Sequence, residues 1–216
     1  MKKVFIMLGG SIENLPSNWQ EETCEEDWIG VDRGALRLIQ HGIRPKVALG
    51  DFDSVTAEEF SLIQEFSDEL IRVPSEKDMT DTELSIVTAI EAEKYDNFVL
   101  YAGTGTRLDH MINTFSIPIE ECFRPYAEKI IFIDKTNTVT YYLPGEHTIV
   151  QDPDKSYVAF GAMIPVKGLI LGKGLKYQLD GVDVPHPYMY ASNEFTQSEA
   201  EFSFDEGLLM AIQTKD

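Results

Sequence analysis

Along the first two-thirds of this 216-residue chain, short apolar runs alternate with stretches in which apolar residues recur at helical spacing. The runs Val4–Leu8, Trp28–Val31, Val47–Leu49, Leu70–Val73, Phe98–Tyr101 and Ile130–Ile133 predict strands. Between them, Gly34–Gln40 reads as a helix that stops against Gly42, a common residue just past a helix end. Thr56 with Glu59, and Thr80 with Glu83, each match the capping box that opens a helix. After the second box, Leu84, Val87 and Ile90 keep helical spacing, and a further helix is expected from about Leu108 to Cys122. Alternation of this kind predicts a parallel sheet with helices on its faces, in which ligands bind beyond the carboxyl ends of the strands.

Past Lys135 the pattern changes. Thr138–Leu143, Thr148–Val150, Tyr157–Pro165, Leu169–Leu171, Phe202–Phe204 and Leu208–Gln213 read as short strands. Pro144-Gly145, Asp152-Pro153-Asp154, Gly172-Lys173-Gly174 and Asp205-Glu206-Gly207 divide them with turn chemistry. No helical period of useful length remains. Two domains are therefore expected, residues 1–128 of α/β type and residues 129–216 all-β, with the change of character falling near 124–136.

Composition narrows the function classes. Hydrophobic residues make up 43% and charged residues 25%, an ordinary globular balance. No apolar run approaches the roughly 20 residues of a membrane helix. The start, Met1-Lys2-Lys3 followed by Val4–Leu8, stops at Gly9-Gly10 and reads as a buried strand rather than a signal sequence. Cys24 and Cys122 have no pairing pattern, which suits free thiols in a cytoplasm and argues against zinc. The net charge of −19, from 18 basic and 37 acidic residues, repels phosphate backbones and excludes nucleic acid as the main ligand. It admits a nucleotide held through metal ions, or a cationic small substrate.

The candidate chemistry lies in the loops that follow the strands. Gly50-Asp51-Phe52-Asp53-Ser54 follows Val47–Leu49; residues two apart in an extended backbone point the same way, so Asp51 and Asp53 would converge on one ion. Hard carboxylate oxygens suit Mg²⁺. In Ser75-Glu76-Lys77-Asp78-Met79-Thr80-Asp81-Thr82-Glu83, capping accounts for Thr80 and Glu83 but leaves Asp78 and Asp81 unexplained, three apart at a helix entrance where both would face the same pocket. Gly103-Thr104-Gly105-Thr106-Arg107-Leu108-Asp109-His110 opens the last helix. Its glycines let backbone N–H groups approach a phosphate, and Arg107 offers a forked donor. His110, held by Asp109, is read as a structural or nucleotide contact rather than a base. Gly9-Gly10-Ser11 and Asp32-Arg33-Gly34-Ala35 stand at two more strand ends, where ligand contact is favoured over plain turns and caps. An acidic cluster, a phosphate cradle and an arginine form the inventory of metal-assisted phosphoryl or pyrophosphoryl transfer. Neither a Walker loop nor a Gly-x-Ser-x-Gly elbow occurs.

Asp32-Arg33-Gly34-Ala35, Gly50–Ser54, Asp78-Met79-Thr80-Asp81 and Gly105–His110 resemble, in order and spacing, the thiamine pyrophosphokinase family. Gly174-Leu175-Lys176-Tyr177-Gln178-Leu179 and Ser192-Asn193-Glu194 are similar to that family's substrate-side motifs, so the resemblance spans nearly the whole chain. It implies a Rossmann-like α/β catalytic domain, a C-terminal β-sandwich that binds thiamine and dimerises, and a homodimer with active sites between subunits. It further implies Mg²⁺ and polyphosphate on Asp51, Asp53 and Asp81, with Asp78 and Thr80 lining the pocket. ATP would contact Asp32, Ser54, Gly103, Thr104, Gly105, Arg107, Asp109 and His110, and thiamine would contact Ser192, Asn193 and Tyr177.

Two positions depart from the pattern: Arg33 replaces a usual glycine, and Tyr177 a usual tryptophan. The implied reaction is attack of the thiamine hydroxyl on the β-phosphorus of ATP with release of AMP, an Asp of the cluster taking the proton. Tyr177, Tyr188, Tyr190 and Phe195 are available to stack on a cationic ring, though most of them are expected in the β-domain core. The rivals are a pyrophosphokinase for another alcohol, such as a hydroxymethylpterin, and a non-catalytic thiamine or nucleotide sensor.

Overall fold

The computed structural model describes residues 1–76, 78–105 and 107–216, so Lys77 and Thr106 of the acidic and glycine loops lie outside the described residues. The chain divides into two compact units. Met1–Phe115 with Ile133–Lys135 makes the first, and Ser116–Phe132 with Thr136–Asp216 the second.

In the first unit five strands, β1 (Lys3–Met7), β2 (Asp27–Val31), β3 (Val47–Gly50), β4 (Glu69–Arg72) and β5 (Asn97–Tyr101), pair in parallel in the order β5-β1-β2-β3-β4. Registers Phe5↔Trp28, Phe5↔Val99, Met7↔Gly30, Met7↔Tyr101 and Gly30↔Ala48 put these side chains on one face. Helix α1 (Trp19–Thr23), α2 (Arg33–Gln40) and α3 (Ala57–Phe66) cover that face through Trp19, Leu38, Ala35, Leu36 and Ile63. The alternate residues Val4, Ile6, Ile29, Val31, Leu49 and Leu100 are buried as well. Helix α4 (Asp81–Glu91), which packs against β2 and β3, brings buried Ile86 and Ala89 to them. Strands buried on both faces explain why the sequence shows continuous apolar runs rather than alternation.

Both anticipated capping boxes are formed, Thr56 with Glu59 at α3 and Thr80 with Glu83 at α4. Helix α5 (Leu108–Ser116) is shorter than expected. Its continuation toward Cys122 is a 3₁₀ turn, Ile117–Ile119, because Pro118 cannot extend an α-helix from that point. The sequence reading passed over α1, a five-residue helix without an anticipated cap.

The second unit is antiparallel. After β6 (Ile130–Ile133), strands β7 (Asn137–Tyr142), β9 (Tyr157–Ala162), β12 (Tyr188–Asn193) and β14 (Leu209–Thr214) run in the order β12-β9-β14-β7. A second sheet has the order β11-β10-β13-β8, from β8 (Gly145–Val150), β10 (Val166–Leu171), β11 (Leu179–Val184) and β13 (Glu199–Phe204). One core cluster draws from both sheets, with Val158, Phe160, Leu209 and Ala211 from the first and Leu169, Leu171, Phe202 and Phe204 from the second. β11 and β12 were not foreseen. Each ends its sheet, and β12 is mostly exposed, so neither carries the apolar pattern of a core strand.

Candidate active site

Because the five strands of the first unit are parallel, the loops after Met7, Val31, Gly50, Arg72 and Tyr101 all emerge at one end of the sheet. Asp32 stands at the centre of the acidic group. It occupies the N-cap position of α2, with φ 48°, yet its carboxylate does not cap the helix. Its Oδ1 instead accepts a hydrogen bond from Phe52 N at 3.1 Å, while its own N–H donates to the Leu49 carbonyl at 2.9 Å. Gly50, at φ 150°, makes this possible: a Cβ there would overlap Asp32 Oδ1 and lie 2.7 Å from its Cγ.

Burial pushes the Asp32 carboxyl up to about 6, and the neighbouring charges of Asp81, Asp51 and Asp53 push the same way against the opposing Phe52 hydrogen bond. The electrostatics therefore bring Asp32, Asp51, Asp53 and Asp81 together. Asp78 is exposed in the loop before α4.

The segment that carries Asp51 and Asp53 is a turn rather than the extended backbone anticipated. Phe52 is left-handed, at φ 59°, and its ring is buried among Ala35, Leu36, Ala48 and Ile63, 5.3 Å from the Phe60 ring. The chain turns around that anchor, and Asp51 Oδ1 accepts from Asp53 N at 3.0 Å. Ser54 is exposed; its carbonyl accepts from Arg33 Nη1 at 2.7 Å, while Arg33 Nη2 lies 3.7 Å from Glu59. Arg33 thus ties the start of α2 to the acidic turn. The Thr80 hydroxyl is committed to capping α4, accepting from Glu83 N at 3.3 Å.

The fifth loop lies against the first. Gly10 N donates to the Ala102 carbonyl at 3.0 Å, and a Cβ on Gly10 would collide with that oxygen and stand 2.7 Å from the Thr104 carbonyl. Asn14 Nδ2 donates to Thr104 Oγ1 at 3.3 Å, and a Cβ on Gly105 would touch Ser11 N at 3.4 Å. Gly103, Thr104 and Gly105 are therefore packed beside Gly9-Gly10-Ser11.

Arg107 is exposed at the entrance of α5. It donates through Nε at 3.2 Å and Nη2 at 2.5 Å to Asp109, a fork that holds the Asp109 carboxyl down at about 2. Asp109 is engaged first by Arg107; His110, itself exposed, adds a backbone hydrogen bond and a smaller charge interaction.

In the second unit, Tyr177, Ser192 and Asn193 come together. Asn193 is buried, and its side chain is wholly engaged with main chain. Oδ1 accepts from Tyr177 N and Glu194 N, both at 2.9 Å, and Nδ2 donates to the Tyr177 carbonyl at 2.7 Å. Ser192, at φ 59°, is exposed beside it. The Tyr177 ring is 58% exposed, with Lys176 Nζ 5.4 Å from its centroid and that ammonium 2.6 Å from Glu194. Of the four aromatics singled out, Tyr190 and Phe195 pack on the core, whereas Tyr177 and Tyr188 are exposed.

Arg37 was missed altogether. It sits in α2 between Leu36 and Leu38, and the one signal in the sequence is a cation inside an otherwise apolar turn.

Carboxylates at the strand ends, a glycine loop beside them and a separate antiparallel unit define a nucleotide-dependent transferase of α/β type. The thiamin pyrophosphokinase catalytic-domain profile matches residues 19–129, and the profile of that family's vitamin B1 binding domain matches residues 146–209. The thiamine pyrophosphokinase of Bacillus subtilis is 33% identical over 220 residues, covering all of both chains. The crystal structure of a thiamin pyrophosphokinase family protein from Enterococcus faecalis superposes with a TM-score of 0.92 at 36% identity, again over the full length of both chains. That of thiamine pyrophosphokinase from Bacillus subtilis gives 0.85 at 32% identity with the same coverage. The chain belongs to the thiamin pyrophosphokinase family, whose function is ATP-dependent formation of thiamine diphosphate, and it is a thiamine diphosphokinase by that membership.

Proposed function

We propose that the strand-end loops of the first unit bind ATP with Mg²⁺ and that Tyr177, Ser192 and the Asn193 turn receive thiamine. The observation that carries this reading is the Asp32 carboxyl, crowded by Asp81, Asp51 and Asp53 and held near 6. Four carboxylates that repel one another leave a site whose charge a divalent cation relieves, and their hard oxygens fit Mg²⁺. Among the described residues no three His, Cys, Asp or Glu side chains are arranged to hold a metal ion by themselves. Mg²⁺ usually keeps several waters and takes further ligands from substrate phosphates.

Asp51, Asp53 and Asp81 would hold the ion, with Asp78 at the mouth, and Mg²⁺ when bound would offset the polyphosphate charge. The Gly103–Gly105 turn and Arg107 would orient the phosphates, Asp109 keeping the guanidinium aimed. The thiamine hydroxyl then attacks the β-phosphorus, a carboxylate of the cluster takes its proton, and AMP leaves. A cationic thiazolium suits the acidic site and the exposed Tyr177 face, where Lys176 now stands. Residues 1–128 would act as the catalytic domain and 129–216 as the thiamine-binding and dimerisation domain. Ser192 and Asn193 would serve the active site of the partner in a homodimer. Two free, exposed cysteines suit a cytoplasmic enzyme, and among the described residues no helix is long and apolar enough to cross a membrane.

The test is product analysis after incubation with ATP, MgCl₂ and thiamine. Thiamine diphosphate and AMP in equal amounts, formed only with the metal, are expected. Release of ADP would refute attack at the β-phosphorus, and metal-independent turnover would remove the cation from the mechanism.

A further inference from the structure

Arg37 is half-buried in α2, and among the described residues it faces no carboxylate. Its guanidinium is spent on main chain. Nη1 donates to the Leu8 carbonyl at 3.2 Å and to the Gly10 carbonyl, and Nη2 donates to the Gly9 carbonyl at 3.2 Å. Three consecutive carbonyls of the loop after β1 are thereby gathered onto one side chain. The loop contains two adjacent glycines and would otherwise be among the freest segments at the strand ends. A planar fork of five donors can hold such a set, whereas a lysine ammonium offers a single point.

Two further contacts carry this restraint onward. Gly34, the residue after Arg33, lies so close to β1 that a Cβ there would overlap the Met7 carbonyl, so the start of α2 packs directly on the strand that leads into the first loop. On the far side, Gly10 is locked against Ala102 and Thr104, at a distance no side chain would allow. Ala102 is itself left-handed, at φ 56°. Position therefore passes from α2 through Arg37 to the first loop, and from Gly10 to the Ala102–Gly105 turn.

We infer that Arg37 is a positioning residue for nucleotide binding: it fixes the first loop so that the fifth loop is held where the phosphates of ATP must lie. The inference rests on the assignment of the Gly103–Gly105 turn and Arg107 to ATP.

Steady-state kinetics with each substrate varied in turn test it, on wild type and on Arg37→Ala, Arg37→Lys and Arg107→Ala. Misplacement by about 1 Å costs up to about a hundredfold in rate, so Arg37→Ala should raise KM for ATP about tenfold or more and leave KM for thiamine within about twofold. Arg37→Lys should recover only part of the loss. Millimolar guanidinium chloride should partly restore ATP affinity in Arg37→Ala but not in Arg107→Ala, whose hydrogen bonds, among the described residues, go to the Asp109 carboxylate. If Arg37→Ala does not fold, Arg37→Lys carries the same test. An unchanged KM for ATP in a folded Arg37 variant, with Arg107→Ala impaired, overturns the inference and leaves the site assignment standing. If neither variant loses ATP affinity, the assignment of the loop to ATP fails, and the inference with it.

Discussion

Replacing Asp32 by asparagine should raise the thermal stability of the metal-free protein at pH 7.5 while lowering its turnover. The carboxyl is pushed up to about 6 by burial and by the charges of Asp81, Asp51 and Asp53. An unfolded aspartate titrates near about 3.9, and the gap to about 6 corresponds to about 3 kcal/mol with no solvent screening. Asp32 is only half-buried, so about 1–2 kcal/mol is the figure to expect. Since the folded value lies above the unfolded one, the folded chain holds this proton longer. The stabilisation is complete below about pH 4 and is lost as pH rises through about 6.

Asparagine keeps an Oδ1 able to accept from Phe52 N but carries no charge, so it escapes that loss. The assay is Tm against pH from 4 to 8, without divalent cations, for wild type and variant. Subtracting the curves removes the contributions of carboxylates held low by salt bridges, such as Asp68 and Asp154, which slope the opposite way. The difference should grow from near zero at pH 4 to about 1–2 kcal/mol above pH 7. A flat difference curve, or a variant less stable than wild type at pH 7.5, would refute the reasoning.

Three further outcomes are expected. Gly50→Ala forces a side chain onto the Asp32 carboxylate at φ 150° and should cost about 1–3 kcal/mol in strain, read by denaturant unfolding, together with a large loss of activity. Asp51→Asn or Asp53→Asn should abolish turnover with circular dichroism unchanged; wild-type rates in either would remove that residue from the mechanism. Asn193→Ala leaves three main-chain groups without their partner, so stability should fall by about 1–3 kcal/mol, and KM for thiamine should rise more than KM for ATP.

The sequence made strand ends and loops legible because buried parallel strands and capping boxes leave local signals. Val47–Leu49 and the Thr80–Glu83 box are found where the pattern put them. Pairing of charges was not legible in the same way. Asp109 lies next to His110 in sequence, yet its carboxylate is engaged by Arg107, a choice made by side-chain geometry. Arg37 acts on carbonyls that no sequence pattern marks. Asn193 was placed at the substrate from its motif, whereas its amide is consumed by the backbone of Tyr177, so its influence on a ligand passes through that turn. Edge strands such as β12 show large side chains such as Tyr188 and Met189 to solvent, which erases the periodicity that reveals a core strand.

The acidic turn after β3 is built around a hydrophobic plug. Phe52 adopts an unfavourable backbone angle, and burial of its ring among Ala35, Leu36, Ala48 and Ile63 offsets that strain. The carboxylates on either side are thus set in place by the core before any ion arrives, and a cation need not order the loop as it binds. With Asp51 and Asp53 as the proposed ligands, cation affinity and packing under α3 would be one property. Trimming Ile63 or Phe60, neither of which bears a ligand atom, would loosen the plug and weaken metal binding at a distance.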